Sequence, residues 1–520
     1  MPVVSTDRWA LAVDGQSEDA QILPTNLTVG LGGARRHACV TLCSDRKIFG
    51  ICEQERVTRV RGAGVNGTGL PDEALDELLR RSQLHRSDVT GYALPEGVPA
   101  AAGYEQTYLE RHFAHACSAF LPSPFQSATI VVCDHTAPQI SVWDGNDHAP
   151  TRIDWPWSGP GFAEIYSRCA EAIGFTGLGR EQRMEALARL DPTRHDSRAE
   201  RLLGLETDRL QLAPDWQAKV ESWAAGGELD RISVAASLQS LIGDLLIEFL
   251  AEVKRRAPVR RRLCLGGSLF YNSYLNSRVK LSGAFEEVFI PINPGDAGLA
   301  VGAALHVSGQ TRRSVTPFLG PSYTPDETKA TLDNCKLKYE WASDGDAIAI
   351  AVEALRKGRL VAWFEGAMEW GPRALGARSI LANPFSQYVL DNLNRFLKQR
   401  DPWRGYALSG LDEAVRRLFD GPSASPFMEC DYVPRDRSGF RHILPGPNAA
   451  VRIQTVRSDA PPRFRDLLQA FGDGAGIPML VNTSFNGFQE PNVCSPRDAI
   501  RVFFGTGIDI LVVGNFVIRK

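Results

Sequence analysis

Two hydrophobic rhythms alternate along the chain. In its first hundred residues, short apolar runs are separated by glycine or aspartate turns: 27–31, then Gly32-Gly33-Ala34-Arg35-Arg36-His37, then 38–42, the Asp45-Arg46 turn, and 48–53. Apolar runs of this length bounded by turn residues predict a three-strand meander. A helix is predicted over 72–83, with further strands over 89–94, 129–134 and 140–143. The middle of the chain keeps another period. Apolar residues recur at three and four over 162–173, 181–190 and 232–255, which predicts helices. The last of these is the most apolar long stretch, but Ser, Gln, Asp and Glu interrupt it at helical intervals, so it reads as a core helix and not a membrane span.

Residues 262–268 read as a buried strand ending in a glycine turn. Residues 294–304 read as a loop entering a helix of small residues, whose first N–H groups are free to meet an anion. A stretch rich in Ser, Thr, Gly and Pro at 308–325 marks a linker. Beyond it come a helix at 346–357, a strand at 360–364 and a mixed α/β region to the end. Neither an internal repeat nor a low-complexity run is visible in the sequence.

Composition narrows the classes. With 43% hydrophobic and 23% charged residues the chain is ordinary globular material, which excludes a disordered or fibrous protein. Lys and Arg number 58 against 61 Asp and Glu, so a globally basic nucleic-acid binder is excluded. Ten cysteines form no CxxC pair and several lie inside apolar runs, which suits reduced core thiols in a cytoplasmic protein better than zinc knuckles or disulfides. The first residues lack the basic and apolar regions of a signal peptide. The expectation is a cytoplasmic protein with no nucleic-acid or membrane partner.

The segment richest in chemistry is 364–379 (FEGAMEWGPRALGARS), which follows a strand and sets Gly366 and Gly371 close to Arg373 and Arg378. Lys398, Arg400 and Arg404 follow shortly after. Guanidinium groups beside a glycine-rich turn suit phosphate or carboxyl-phosphate ligands, since the planar fork holds two oxygens at once; a solvated basic face has the same composition. The run 481–486 (VNTSFN) offers hydrogen-bonding heads after an apolar strand, for a phosphate or simply for a turn. His112 and His115 are spaced three apart, on one face if helical, and Asp134 and Asp296 are the carboxylates best placed to join them in a metal site or to serve as turn caps.

Taken together these segments resemble the ATP-dependent carbamoyltransferases of the NodU/CmcH type, found in antibiotic and nodulation-factor biosynthesis. The resemblance runs from about residue 27 to the end and is most specific in 368–382, 394–406, 451–456, 482–486 and 505–509. It implies an extension at 1–26, an actin-like, sugar-kinase-like transfer module at 27–312, a linker at 313–325 and a YrdC-like α/β module at 326–520. It also implies the chemistry: carbamoyl phosphate and ATP, with magnesium, give carbamoyl-adenylate in the second module, and the first module moves the carbamoyl group to a hydroxyl of a small specialised metabolite. Arg373, Lys398, Arg404, Arg452 and Ser484 are implied to hold the carbamoyl phosphate and ATP phosphates. Asp296, His115 and Arg111 fall in the transfer site, and an iron-type metal is implied on His115, Asp134 and Asp296.

The departures from the family pattern fall on the transfer chemistry. Arg35 and His37 stand where a His and an Asp are usual, and Met184-Glu-Ala-Leu187 replaces Met-Gly-Leu-Ala. Gly266-Gly267-Ser268 replaces Ala-Gly-Gly. The motif His-His-x-x-His reads Arg111-His112-Phe113-Ala114-His115. A guanidinium carries no lone pair for a metal, so metal binding is expected to be weak or absent unless His112 or His135 substitutes. Two alternatives stay open: a homologue with an impaired transfer site acting as a scaffold or partner subunit, and carbamoyl transfer to a different nucleophile. A homo-oligomer is compatible with either.

Overall fold

The computed structural model describes residues 26–98, 104–147, 149–257, 260–309 and 315–520. The predicted extension therefore lies almost wholly outside the described residues, as do 310–314 of the linker stretch.

The predicted meander is present as β1 (Leu27–Gly32), β2 (Cys39–Cys43) and β3 (Ile48–Glu53), all antiparallel. β4 (Val89–Pro95) and β5 (Gln106–Leu109) add in parallel on the far side of β1, giving the order β3-β2-β1-β4-β5. β6 (Ser127–Cys133), β7 (Ile140–Asn146) and β8 (Thr151–Ile153) then form a second antiparallel meander. After a helical stretch and a short ribbon of β9 (Leu203–Leu205) and β10 (Leu210–Leu212), β11 (Arg262–Gly266) and β12 (Glu287–Phe289) add in parallel beside β6. The second sheet reads β8-β7-β6-β11-β12, which is the order and strand sense of the first sheet over again. The sequence shows no repeat, yet the topology is duplicated. Strand length, turn position and burial set this arrangement, and many different residues satisfy those demands. The doubled sheet is the actin-like, sugar-kinase-like architecture expected from the sequence.

Small residues bring the two halves together. A Cβ on Gly30 of β1 would fall 2.1 Å from the Ala300 carbonyl oxygen, so the helix Leu299–Val307 lies directly on the strand. A Cβ on Gly302 would fall 2.4 Å from the Ser118 nitrogen, so the same helix also packs backbone to backbone on the helix Arg111–Phe120. The apolar helix Glu228–Arg256 is long enough to cross a membrane by length and composition, but it serves as a core element: Leu238, Ile242, Leu246, Phe249 and Val253 pack with Trp155 and Phe162.

The second module is built on one ten-stranded sheet. In chain order its strands are β13 (Glu340–Trp341), β14 (Val361–Phe364), β15 (Arg378–Ala382), β16 (Ala407–Leu411), β17 (Phe419–Asp420), β18 (Cys430–Pro434), β19 (Val451–Val456), β20 (Met479–Ser484), β21 (Ile510–Val513) and β22 (Phe516–Arg519). The spatial order is β13-β22-β21-β14-β15-β20-β16-β19-β18-β17. Side chains alternate between two cores, as strand geometry requires: Val361 and Trp363 pack under the helices Asp344–Arg356 and Pro462–Ala475, while Ala362 and Phe364 face Phe485 and Phe503.

The joint between the modules is polar. The helix Ser273–Leu281 lies along β18, where the Ser277 hydroxyl donates to the Asp431 carbonyl (3.0 Å) and accepts from the Asp431 N–H (2.7 Å). Lys280 pairs with Glu429 at 2.7 Å, and Arg59 donates to the Pro491 carbonyl at 2.7 Å.

Candidate functional site

A cavity of about 660 Å³ opens in this joint. Arg111, Asp134 and Asp296 from the first module line one end of it, and Arg373, Lys398, Arg404, Arg452 and Ser484 from the second module line the other. Of the residues singled out in the sequence, these eight face one continuous space, whereas His115, His112 and Arg378 are fully buried away from it, His115 behind Asp134.

The first end is assembled from three chain segments. Glu110 caps the helix Arg111–Phe120 by accepting from the N–H groups of His112 and Phe113, each at 2.8 Å, which fixes Arg111 in the first helical turn. β6 delivers Asp134 at its end. The turn after β11 comes so close to β6 that a Cβ on Gly267 (φ +99°) would fall 2.0 Å from the Cys133 carbonyl oxygen. That approach lets Ser268 donate to Asp134 at 3.1 Å and contact the His135 ring at 2.9 Å. The third segment is the short helical turn Asp296–Gly298, which presents Asp296.

Arg111 turns inward here. Its Nε lies 3.2 Å from Asp134 Oδ2 and 2.9 Å from the Thr136 hydroxyl, and its Nη2 is hydrogen-bonded to Asp296. His115, Asp134 and Asp296 bring ligand atoms within 4.8 Å of one another, with His115 Nε2 3.5 Å from Asp134. Burial by itself would raise the Asp134 pKa; His115, Arg111 and the Thr136 hydroxyl more than reverse this and hold the carboxyl well below the ordinary aspartate range.

An iron-type ion fits these residues poorly. The two carboxylates it would need are both bonded to a guanidinium, and a monovalent and a divalent cation about 4 Å apart repel by roughly 8 kcal/mol at an effective dielectric near 20. The two imidazoles considered as substitutes are engaged elsewhere. His112 has one ring nitrogen 2.8 Å from the Ser141 hydroxyl and the other 3.1 Å from the Thr136 carbonyl, and His135 lies between the hydroxyls of Ser167 and Ser268.

The second end rests on a braced loop. Between β14 and β15, the buried Glu369 carboxylate accepts from the N–H groups of Leu375 (2.8 Å) and Arg378 (3.2 Å). Arg378 is itself fully buried: it covers the Phe364 ring and donates to the carbonyls of Pro321, Glu365 and Gly366. Its charge holds the loop and does not face the cavity. What the loop presents is Arg373, whose Nη2 donates to the Tyr271 carbonyl of the first module at 3.2 Å. Arg56 ties the same loop to the first module through the Gly371 carbonyl at 2.9 Å.

Lys398 differs from its sequence expectation in detail. Its ammonium donates to the Ser484 carbonyl (2.7 Å), the Asn486 carbonyl (3.0 Å) and Asn486 Oδ1 (2.5 Å), which uses all three donors. What remains to a ligand is its charge, and burial together with Arg400 pushes its pKa well down. Ser484 in turn donates to Asn486 at 2.7 Å. Arg452 has a buried Nε with no hydrogen-bond partner, and burial, Arg373 and Arg189 all act against its charge. Among the described residues, no carboxylate comes within ion-pair distance of Lys398, Arg404 or Arg452.

Two residues of consequence were not singled out in the sequence. Arg189 bonds Asp431 at 2.9 Å and Glu185 at 2.5 Å, and Ser273 links the same two carboxylates at 2.8 and 2.6 Å. Glu185 and Arg189 line the cavity, and the cluster ties them across the joint to Asp431. Helical i, i+4 spacing of Glu185 and Arg189 was the visible signal; nothing local pointed to Asp431, 242 positions away from Arg189.

The profile described as carbamoyltransferase N-terminus matches residues 102–305, and that described as carbamoyltransferase C-terminus matches 352–520. An uncharacterised protein of Synechocystis sp. is 32% identical over 472 residues, covering 79% of this chain and 76% of that one. Nodulation protein NolO of Bradyrhizobium diazoefficiens is 35% identical over 300 residues (55% of this chain, 54% of the other), and the 3'-hydroxymethylcephem-O-carbamoyltransferase of Streptomyces clavuligerus is 32% identical over 301 residues (57% and 56%). The chain thus spans about half the length of these last two relatives. With both halves of the family pattern matched in order, the chain belongs to the carbamoyltransferase family.

Proposed function

We propose that the chain makes carbamoyl-adenylate from carbamoyl phosphate and ATP at the basic end of the cavity, then passes the carbamoyl group to a hydroxyl of a small specialised metabolite at the Asp296 end. The observation that carries this reading is the set of cations without carboxylate partners, the half-buried Arg404 and Arg452 with the buried Lys398 beside them, facing the same space as Arg111 and Asp296. Two polyanions meeting at one site repel, and fixed cations in a partly dry cavity offset that repulsion. Atom balance sets the order: water takes the phosphate from carbamoyl phosphate, the carbamate oxygen attacks the α-phosphorus of ATP, and pyrophosphate leaves. The acceptor oxygen then attacks the carbamoyl carbon, AMP leaves with the electron pair, and the hydroxyl proton passes to Asp296. An oxygen acceptor agrees with the name of the cephem relative. Magnesium would accompany the ATP.

Pyrophosphate release from ATP is expected only when carbamoyl phosphate is added, with no acceptor needed. Asp296→Asn is expected to keep that release and lose carbamoyl transfer. If the wild-type chain releases no carbamoyl-phosphate-dependent pyrophosphate, the enzyme reading fails and the scaffold reading replaces it. Equal loss of both activities in Asp296→Asn would count against separate ends for the two steps.

A further inference from the structure

We infer that the Arg111 guanidinium takes the seat of the divalent ion in the transfer centre, so that this chain carries that positive charge in its own side chain. The chemical role rests on the function proposed above; the occupancy of the seat does not. Three observations converge on it. First, Arg111 had a free choice of direction from the first turn of its helix, and it turns inward: its side chain is 22% exposed and bonded to both Asp134 and Asp296. Second, His115 is fully buried one helical turn further on, and neither of its ring nitrogens has a hydrogen-bond partner. A buried imidazole whose Nε2 comes within 3.5 Å of Asp134 without closing a hydrogen bond, beside a second carboxylate, is what remains of a ligand set once another group supplies the charge. Third, neither His112 nor His135 is free to restore the missing donor, since all four of their ring nitrogens are occupied.

The guanidinium and a metal are alternatives here because they need the same carboxylate oxygens. Unlike an ion, the guanidinium stays protonated at any accessible pH and has no coordination site to exchange. It offers N–H donors aimed from a fixed base, which suit the adenylate phosphate or the carbamoyl oxygen as negative charge builds on it. Position 111 is one turn before His115, so an imidazole placed there would share its helix face and complete the set.

Cobalt(II) is the probe. Full-length wild type and Arg111→His are loaded with Co²⁺, desalted, and compared by elemental analysis and visible absorption. Wild type is expected to retain far less than one equivalent, and Arg111→His about one, with ligand-field bands that disappear when Asp134 is also changed to Asn. A wild type that keeps one equivalent bound through Asp134 overturns the inference. So does an Arg111→His protein that keeps the wild-type circular dichroism and melting transition yet gains no cobalt. Should Arg111→His not fold, Arg111→Ala with added imidazole takes its place under the same two criteria. None of these readouts depends on catalysis, so their failure is distinct from a failure to form carbamoyl-adenylate.

Discussion

The two ends of the cavity solve opposite electrostatic problems. At the Asp296 end two cations are matched: Arg111 lies against two carboxylates, and Arg56 against Glu53 at 2.6 Å. At the other end a buried Lys398 and the half-buried Arg404 and Arg452 share one wall, with desolvation as the first force against their charge. A matched pair is at rest without a ligand. An unmatched set is held in place by the fold at a cost to stability and relaxes when an anion arrives. One end is therefore built to present a fixed charge and the other to receive one.

Removing a cation should separate the ends clearly. Arg111→Met leaves Asp134 buried with the Thr136 and Ser268 hydroxyls and the His115 ring as its remaining partners, and is expected to destabilise the protein by about 3 kcal/mol, the lower part of the range for a broken buried pair because those partners stay in place. The shift of the denaturant midpoint measures it; a shift near zero would erase the distinction between the ends. Arg452→Met should do the reverse to stability and damage function. Pyrophosphate release is expected to fall roughly 10- to 100-fold, since a charge-assisted contact to phosphate is worth about 1.5–3 kcal/mol, while the melting temperature stays level or rises. A variant that both unfolds earlier and keeps its activity would mean that Arg452 is structural.

The smallest effect concerns protons. In the free protein the Lys398 pKa is depressed, so above that lowered value part of the ammonium is neutral. A bound anion favours the charged form and raises the pKa again, so binding takes up protons. Pyrophosphate binding above that lowered pKa, measured by calorimetry in two buffers of different ionisation enthalpy, should show a net uptake that falls away as the pH drops below it and is lost in Lys398→Gln. Proton release on binding would reverse the assignment.

Much of the fold was legible because its signals are local. β1 and β6 are apolar runs bounded by turns, and the small residues of 294–304 announced a helix that packs closely, as it does on Gly30. The duplication of the two sheets was not legible, because it resides in strand order alone. Likewise, the motif residues of the site could be named in advance but not their directions. Arg373 and Arg378 stand five positions apart with similar neighbours, yet one faces the cavity and the other is sunk among carbonyls. Arg111 had the same ambiguity, and only the partners supplied by β6 and by Asp296 resolve it. Contacts made across the joint, such as Arg189 with Asp431, leave no trace in sequence spacing.

The shared cavity also sets a concentration. One molecule confined to about 660 Å³ is present at an effective concentration on the order of 2 M. On the function proposed above, an activated intermediate released at the basic end would meet Asp296 and its neighbours at a concentration that no metabolite pool approaches. Tight binding is unnecessary under those conditions. On that proposal, the yield would be limited by the competition between the acceptor hydroxyl and water for the same carbon, a contest decided by how fully the acceptor fills the remaining space.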